Sequence, residues 1–184
     1  MNGNASLLLE EIYREFSKGD ARALRKINDK CIECLGMTPE KNMLSLAVIS
    51  YVLSKILSKP RYFERRANKE YLGRMKEQMQ KCAAVSKGDD EEKMGYCIEG
   101  MLKTVDKISG SDRRFFLGLQ QKALLKIAAT LYAQGFSLGR ASEITGVEER
   151  EILKYAGGTM MFDRFKGKKT LLDRLNDARK IFAK

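Results

Sequence analysis

The chain has 184 residues, 43% hydrophobic and 32% charged, which excludes an intrinsically disordered polymer and suffices for one generous domain or two small ones. Lys and Arg number 35 against 24 Asp and Glu, a formal net charge of +11 that favours a polyanionic partner, DNA or RNA above an anionic membrane. With 0 histidines, the usual general acid–base side chain near neutral pH is missing, and with 2 prolines, Pro39 and Pro60, long stretches are left free for helix.

Helix signals follow one another along the chain. Ser6 can cap a first helix to about Phe16, with Leu8, Leu9, Ile12 and Phe16 on one face, and Lys18-Gly19 ends it. Asp20 caps a second, repeating Ala23, Leu24, Ile27, Cys31 and Cys34 at helical spacing until Gly36. Thr38 caps and Pro39 opens the third, whose Met43–Leu57 body is apolar almost all round and belongs at the centre of a bundle. Ser45, Ser50, Ser54 and Lys55 keep that stretch short of the roughly 18 apolar residues a membrane span requires, so no membrane partner is expected. Pro60 breaks it. A fourth helix covers about Arg61 to Val85, with Phe63, Ala67, Tyr71, Met75, Met79 and Cys82 inward.

The polar run 86–92 is a joint in which Asp89 or Asp90 caps a fifth helix through Met94, Cys97, Ile98, Met101, Leu102 and Val105. A second joint, Ser109 to Asp112, leads into a sixth helix reaching Gln134. Residues 1–85 are net basic, 86–112 net acidic and 113–184 net basic again. The expected architecture is all-α: an N-terminal helical bundle over residues 1–108, then a module over 113–184 with a basic C-terminal helix.

The most informative stretch begins at Leu131. Gly135 stops the sixth helix, Ser137 caps a short helix through Leu138 to Thr145, Gly146 sits at a turn that needs positive φ, and Val147 follows as its buried residue. A second helix runs from Glu148 to Tyr155 with Ile152 and Tyr155 inward, and Gly157-Gly158 ends it. Small Ser142 stands four before the turn glycine and Ile152 five after Val147, the spacing of a helix-turn-helix. The segment resembles the helix-turn-helix of archaeal and bacterial regulators. The run Leu131-Tyr132, Gly135, Ser137 to Ala141, Glu143, Gly146-Val147 and Glu151 is also similar to a small prokaryotic family of antitoxin-like proteins. The resemblance covers about a quarter of the chain and implies regulation or neutralisation of a partner, not catalysis.

On this reading Arg140, Lys154, Arg164, Lys166, Lys168 and Lys169 would contact phosphates, and Arg150 a base. Thr159 to Phe162 would be extended, and residues 163–169 would form a basic turn like a wing. Thr170 and Asp173 would start a last helix, with Leu171, Leu172, Leu175, Ala178, Ile181 and Phe182 available for docking or a homodimer seam. One feature opposes it: Glu148, Glu149 and Glu151 open the helix that should meet a polyanion. Acids also favour any helix N-terminus, so this helix could instead meet a protein partner, as an adaptor or antitoxin would. A third reading is an RNA- or ribosome-associated protein, using the stripe Arg61, Arg65 and Lys69 at i, i+4 spacing, with Tyr62 and Phe63 to stack on bases. Arg113 and Arg114 are a weaker basic feature.

The 4 cysteines, Cys31, Cys34, Cys82 and Cys97, have no basic secretory segment before them, which points to reduced thiols in the cytoplasm. Cys31 and Cys34 form a CxxC, but late in a helix and on its apolar face, and a zinc site would need a second pair or histidines, so buried free thiols are expected. Gly167-Lys168-Lys169-Thr170 lacks the upstream glycine of a phosphate-binding loop, since Phe162 stands there. No nucleophile, acid–base pair, cofactor motif or metal set emerges, so no enzyme activity, cofactor or metal is expected.

Overall fold

A computed structural model describes residues 3–37, 39–59, 66–85, 91–108, 118–161 and 179. These are all-α, with no strand among them, and form α1 (Gly3–Lys18), α2 (Ala21–Met37), α3 (Lys41–Leu57), α4 (Arg66–Val85), α5 (Glu91–Ile108), α6 (Leu119–Ala133), α7 (Leu138–Thr145) and α8 (Glu149–Gly158). None of the described helices is long and apolar enough to cross a membrane. The chain divides into two compact units, Met1–Ile127 and Ala128–Lys184, and the division falls inside α6.

In the first unit, α1 buries Ala5, Leu8, Leu9, Ile12 and Phe16, the stripe its periodicity dictates. It begins at Gly3, so Ser6 lies within the first turns rather than capping them. Gly19 ends it in the left-handed conformation at φ 76°. There the N–H of Gly19 donates to Phe16 O at 3.1 Å and that of Asp20 to Glu15 O at 3.0 Å, the paired bonds of a Schellman stop. Asp20 then caps α2 as expected: its Oδ1 accepts from the N–H groups of Arg22 (2.8 Å) and Ala23 (2.9 Å). Gly36, expected to close α2, lies inside it with no positive φ, and the helix continues to Met37. Nor does Pro39 open α3. The first helical bond runs from Leu44 N–H to Glu40 O at 3.1 Å, which makes Glu40 the N-cap and leaves Pro39 one residue outside.

The α3 helix is the hub, packed against α1, α2 and α5, and buries eleven residues from Met43 to Ile56. Its serines are accommodated because their hydroxyls turn back on their own helix. Ser50 Oγ donates to Ala47 O at 3.0 Å and Ser54 Oγ to Tyr51 O at 2.7 Å. α2 runs antiparallel to α3: Arg25 Nη2 donates to Ser58 Oγ at 2.8 Å, and Asn28 Nδ2 to Ala47 O at 2.7 Å.

The α4 helix packs on α1 and α5 and buries Leu72, Met75, Met79 and Cys82. α4 and α5 are antiparallel, since Thr104 Oγ1 donates to Gln78 Oε1 at 2.7 Å while Cys82 and Cys97 are joined by a disulfide. The expected four reduced thiols are therefore corrected at this pair. Antiparallel packing brings together two cysteines that the sequence sets 15 residues apart, at a Cα–Cα distance of 5.6 Å that a disulfide spans. Cys31 and Cys34 keep their thiols, as expected, and burial pushes that of Cys31 up to about 12.

Candidate nucleic-acid interface

The second unit builds its two short helices from turn chemistry outward. Gly135, at φ 102°, stops α6 with a second Schellman pair: its N–H donates to Tyr132 O at 3.0 Å and that of Phe136 to Leu131 O at 3.2 Å. Ser137 is the N-cap of α7, and its hydroxyl accepts the Arg140 N–H at 3.2 Å. Gly146 ends α7 at φ 70°, ψ 11°, its N–H donating to Ser142 O at 2.7 Å. Thr145 Oγ1 donates to Ala141 O at 2.7 Å and accepts from Val147 N–H at 3.4 Å, tying the turn to the helix before it. Glu148 is the N-cap of α8 by backbone alone, its carbonyl accepting from Glu151 N–H (3.0 Å) and Ile152 N–H (3.1 Å).

α7 and α8 pack on each other, and Ala141, Thr145, Val147, Ile152 and Ala156 are buried. Residues advance about 100° each around a helix, so Arg150 and Lys154 stand on the side of α8 directly opposite Ile152. Both are exposed, and among the described residues no carboxylate pairs with either. The glutamates are placed differently. Glu149 stands about 60° from Ile152, at the edge of the buried face, whereas exposed Glu151 stands nearer the ridge, one turn before Lys154. Glu149 Oε1 stands 3.4 Å from where a Cβ at Gly139 would be, so this carboxylate leans back over α7. Arg140 is engaged, its Nη1 donating to Glu143 Oε2 at 2.7 Å across one turn. Of the candidate cations in this unit, Arg150 and Lys154 thus share a ridge and Arg140 faces its own acid; Arg164, Lys166, Lys168 and Lys169 lie outside the described residues.

The stretch after α8 is not extended as expected. Thr159 N–H donates to Tyr155 O at 3.0 Å, its Oγ1 reaches the same carbonyl at 2.6 Å, and Met160 N–H donates to Gly157 O at 3.4 Å. These bonds curl the chain, leaving Met160 exposed and Met161 buried, and Gly157 and Gly158 are the last two residues of α8, with Thr159 as its C-cap. Phe162 and, apart from exposed, helical Arg179, the expected tail helix lie outside the described residues.

The expected Arg61, Arg65, Lys69 stripe is described only at Lys69, which is exposed on α4; Arg61 and Arg65 lie outside the described residues. Lys69 has other company, which the sequence reading missed. With Lys18, Lys76, Phe16, Ser17, Gly19, Leu57, Leu72 and Gly73 it lines a cavity of about 400 Å³ within the first unit. The signal was the continuation of the stripe past Lys69, where Gly73 and Lys76 recur at i+4 and i+7. No protein-family model, curated protein or solved structure matches this chain.

Proposed function

We propose that this protein is a nucleic-acid-binding regulator, with α7 and α8 acting as a helix-turn-helix whose second helix lies against duplex DNA. The observation that carries this reading is the Arg150–Lys154 ridge on the solvent side of α8, which has no ion pair among the described residues. It follows a three-residue turn built on a left-handed Gly146, α8 packs on α7, and Ile152 and Ala156 on the opposite side of α8 are buried. The resemblance of residues 131–158 to prokaryotic regulators points the same way, as does the net charge of +11. Lys154 supplies a phosphate contact and Arg150 a phosphate or guanine contact. Arg140 joins once it exchanges Glu143 for phosphate, since an exposed i, i+3 pair is worth under about 1 kcal/mol. Arg164, Lys166, Lys168 and Lys169 extend the basic surface.

The test is binding of the full chain to duplex DNA, single-stranded RNA and a neutral control across a salt series. The expected result is a preference for duplex, with log affinity falling by about 0.9 per phosphate contact per log unit of salt. The double variant Arg150→Gln, Lys154→Gln should lose that binding. Duplex affinity that is flat with salt, or unchanged in the double variant, refutes the proposal.

A protein partner is the second reading, favoured by Leu153 and Met160, which are 47% and 69% exposed on the same unit. A partner, including a second copy of this chain, that survives nuclease treatment and is lost in Leu153→Ser supports it.

A further inference from the structure

We infer that the cavity between the C-terminal ends of α1 and α3 and the first half of α4 is a binding site for a small phosphate ester with an apolar or aromatic body, of the size of a nucleoside diphosphate. This assignment is independent of any role for α7 and α8.

The cavity has a polarity of its own. Its floor is Phe16, Leu57 and Leu72, and its rim is Lys18, Lys69 and Lys76, with no carboxylate in the lining among the described residues. Lys18 shares its charge with Glu15 at 3.0 Å, whereas Lys69 and Lys76 have no ion pair among the described residues. Two to three positive charges over an apolar floor match a ligand with two to three negative charges at one end and a ring at the other. Lysine ammonium groups act as mobile point charges on phosphate. The Lys76 Nζ lies 5.9 Å from the centroid of the Phe16 ring, so cation and floor belong to one open pocket.

The walls keep the space open. Gly19 and Gly73 both line the cavity, and a Cβ built at either would meet nothing within 4 Å. At Gly19 the backbone itself requires glycine, with φ at 76°. At Gly73 it does not: the residue sits in the interior of α4 at an ordinary helical φ, where glycine is a poor choice for stability. A volume of about 400 Å³ lies in the range of small-molecule sites. Lys69, Leu72, Gly73 and Lys76 fall on one face of α4 by their i, i+3, i+4, i+7 spacing, so one helix presents cation, floor, gap and cation in turn.

The experiment titrates the full chain with ADP, pyrophosphate and inorganic phosphate by calorimetry at low salt. ADP should bind saturably and more tightly than pyrophosphate, because the floor contributes. The double variant Lys69→Gln, Lys76→Gln should weaken ADP by at least about tenfold. Lys26→Gln with Lys103→Gln, the same charge loss elsewhere on the unit, should leave it unchanged. Gly73→Leu, which fills the gap without touching charge, should also abolish binding, with Gly73→Ala as a milder plug in a helix that folds at least as well. Absence of saturable ADP binding, or binding that survives Gly73→Leu, overturns the assignment. So does capture of single-stranded RNA or of phosphatidic acid vesicles that depends on Lys69 and Lys76 but is not displaced by ADP.

Discussion

Cys82, one turn from the end of α4, is bonded to Cys97 in the second turn of α5, with their Cα atoms 5.6 Å apart. The bond clamps the two helices across the 86–90 connection, beside the Gln78–Thr104 contact. A crosslink spanning 15 residues restricts the unfolded chain by about 3 kcal/mol. Urea unfolding of the oxidised protein and of the protein treated with a dithiol should therefore differ by about that amount, with Cys97→Ser matching the reduced form. Coincident curves would show that the clamp adds nothing. Thiol titration of the unfolded, unreduced chain should find Cys31 and Cys34 alone, and in the folded chain Cys31 should resist alkylation, because its buried thiol, held near 12, yields no thiolate at neutral pH.

Two glycines should respond in opposite directions to the same substitution. Gly146 is left-handed at φ 70°, where a Cβ is strained whatever the surrounding space, so Gly146→Ala should destabilise the second unit by about 1–2 kcal/mol. Gly73 is right-handed and an added methyl would meet nothing within 4 Å, so Gly73→Ala should stabilise α4 by about 0.4–1 kcal/mol. Denaturation midpoints of the two variants decide this. A loss at Gly73 would mean that α4 is constrained there by more than its helical backbone.

The two stops that the sequence announced most clearly, Gly19 and Gly135, are Schellman stops, and Gly146 takes the left-handed turn expected of it. Local backbone chemistry is written in local residues, which is why these positions and the Asp20 and Ser137 caps could be read directly. Gly36 and Pro39 each lie within two residues of the observed helix end without marking it, because glycine is tolerated inside a last turn and proline just before an N-cap, so neither residue alone fixes the boundary. Periodicity also gave the buried stripe of α1 and the central place of α3. What it could not give were relations between helices. The Cys82–Cys97 bond, the meeting of Lys18 with Lys69 and Lys76, and the leaning of Glu149 over Gly139 each depend on packing partners that no single segment names.

Asp20 links the α2 cap to acid stability. The backbone N–H of Ala23 first, and that of Arg22 next, stabilise its ionised carboxylate and hold its pKa below the ordinary 3.8. The folded state thus binds this proton more weakly than the unfolded chain. The contribution is complete at pH above the ordinary value and is lost as pH falls through the lowered folded value. Asp20→Asn keeps an acceptor for the cap but cannot titrate. Its stability at neutral pH should stay close to that of the parent, and its acid limb should be flatter. Identical acid limbs in the two proteins would show that the cap bond does not distinguish the ionised carboxylate.

The glutamates at the start of α8 give the sharpest test of how that helix is used. If the Arg150–Lys154 ridge faces DNA, then Glu148, Glu149 and Glu151 stand beside the phosphates without touching them. Two like charges about 10 Å apart in water repel by about 0.4 kcal/mol, or roughly twofold in affinity for each carboxylate removed. Glu148→Gln with Glu151→Gln should then tighten duplex binding a few-fold at low salt, and the gain should shrink as salt rises, because repulsion over that distance is screened at about a Debye length. The variant's salt slope should accordingly be slightly steeper than the parent's, by less than the increment of about 0.9 for one phosphate contact. A protein partner docking on the same turn predicts the reverse: the charge-neutral pair would leave DNA affinity unmoved and weaken the partner, because carboxylates at a helix start would then be the groups recognised. Measuring both affinities on the same variant separates a helix that tolerates its acids from one that uses them.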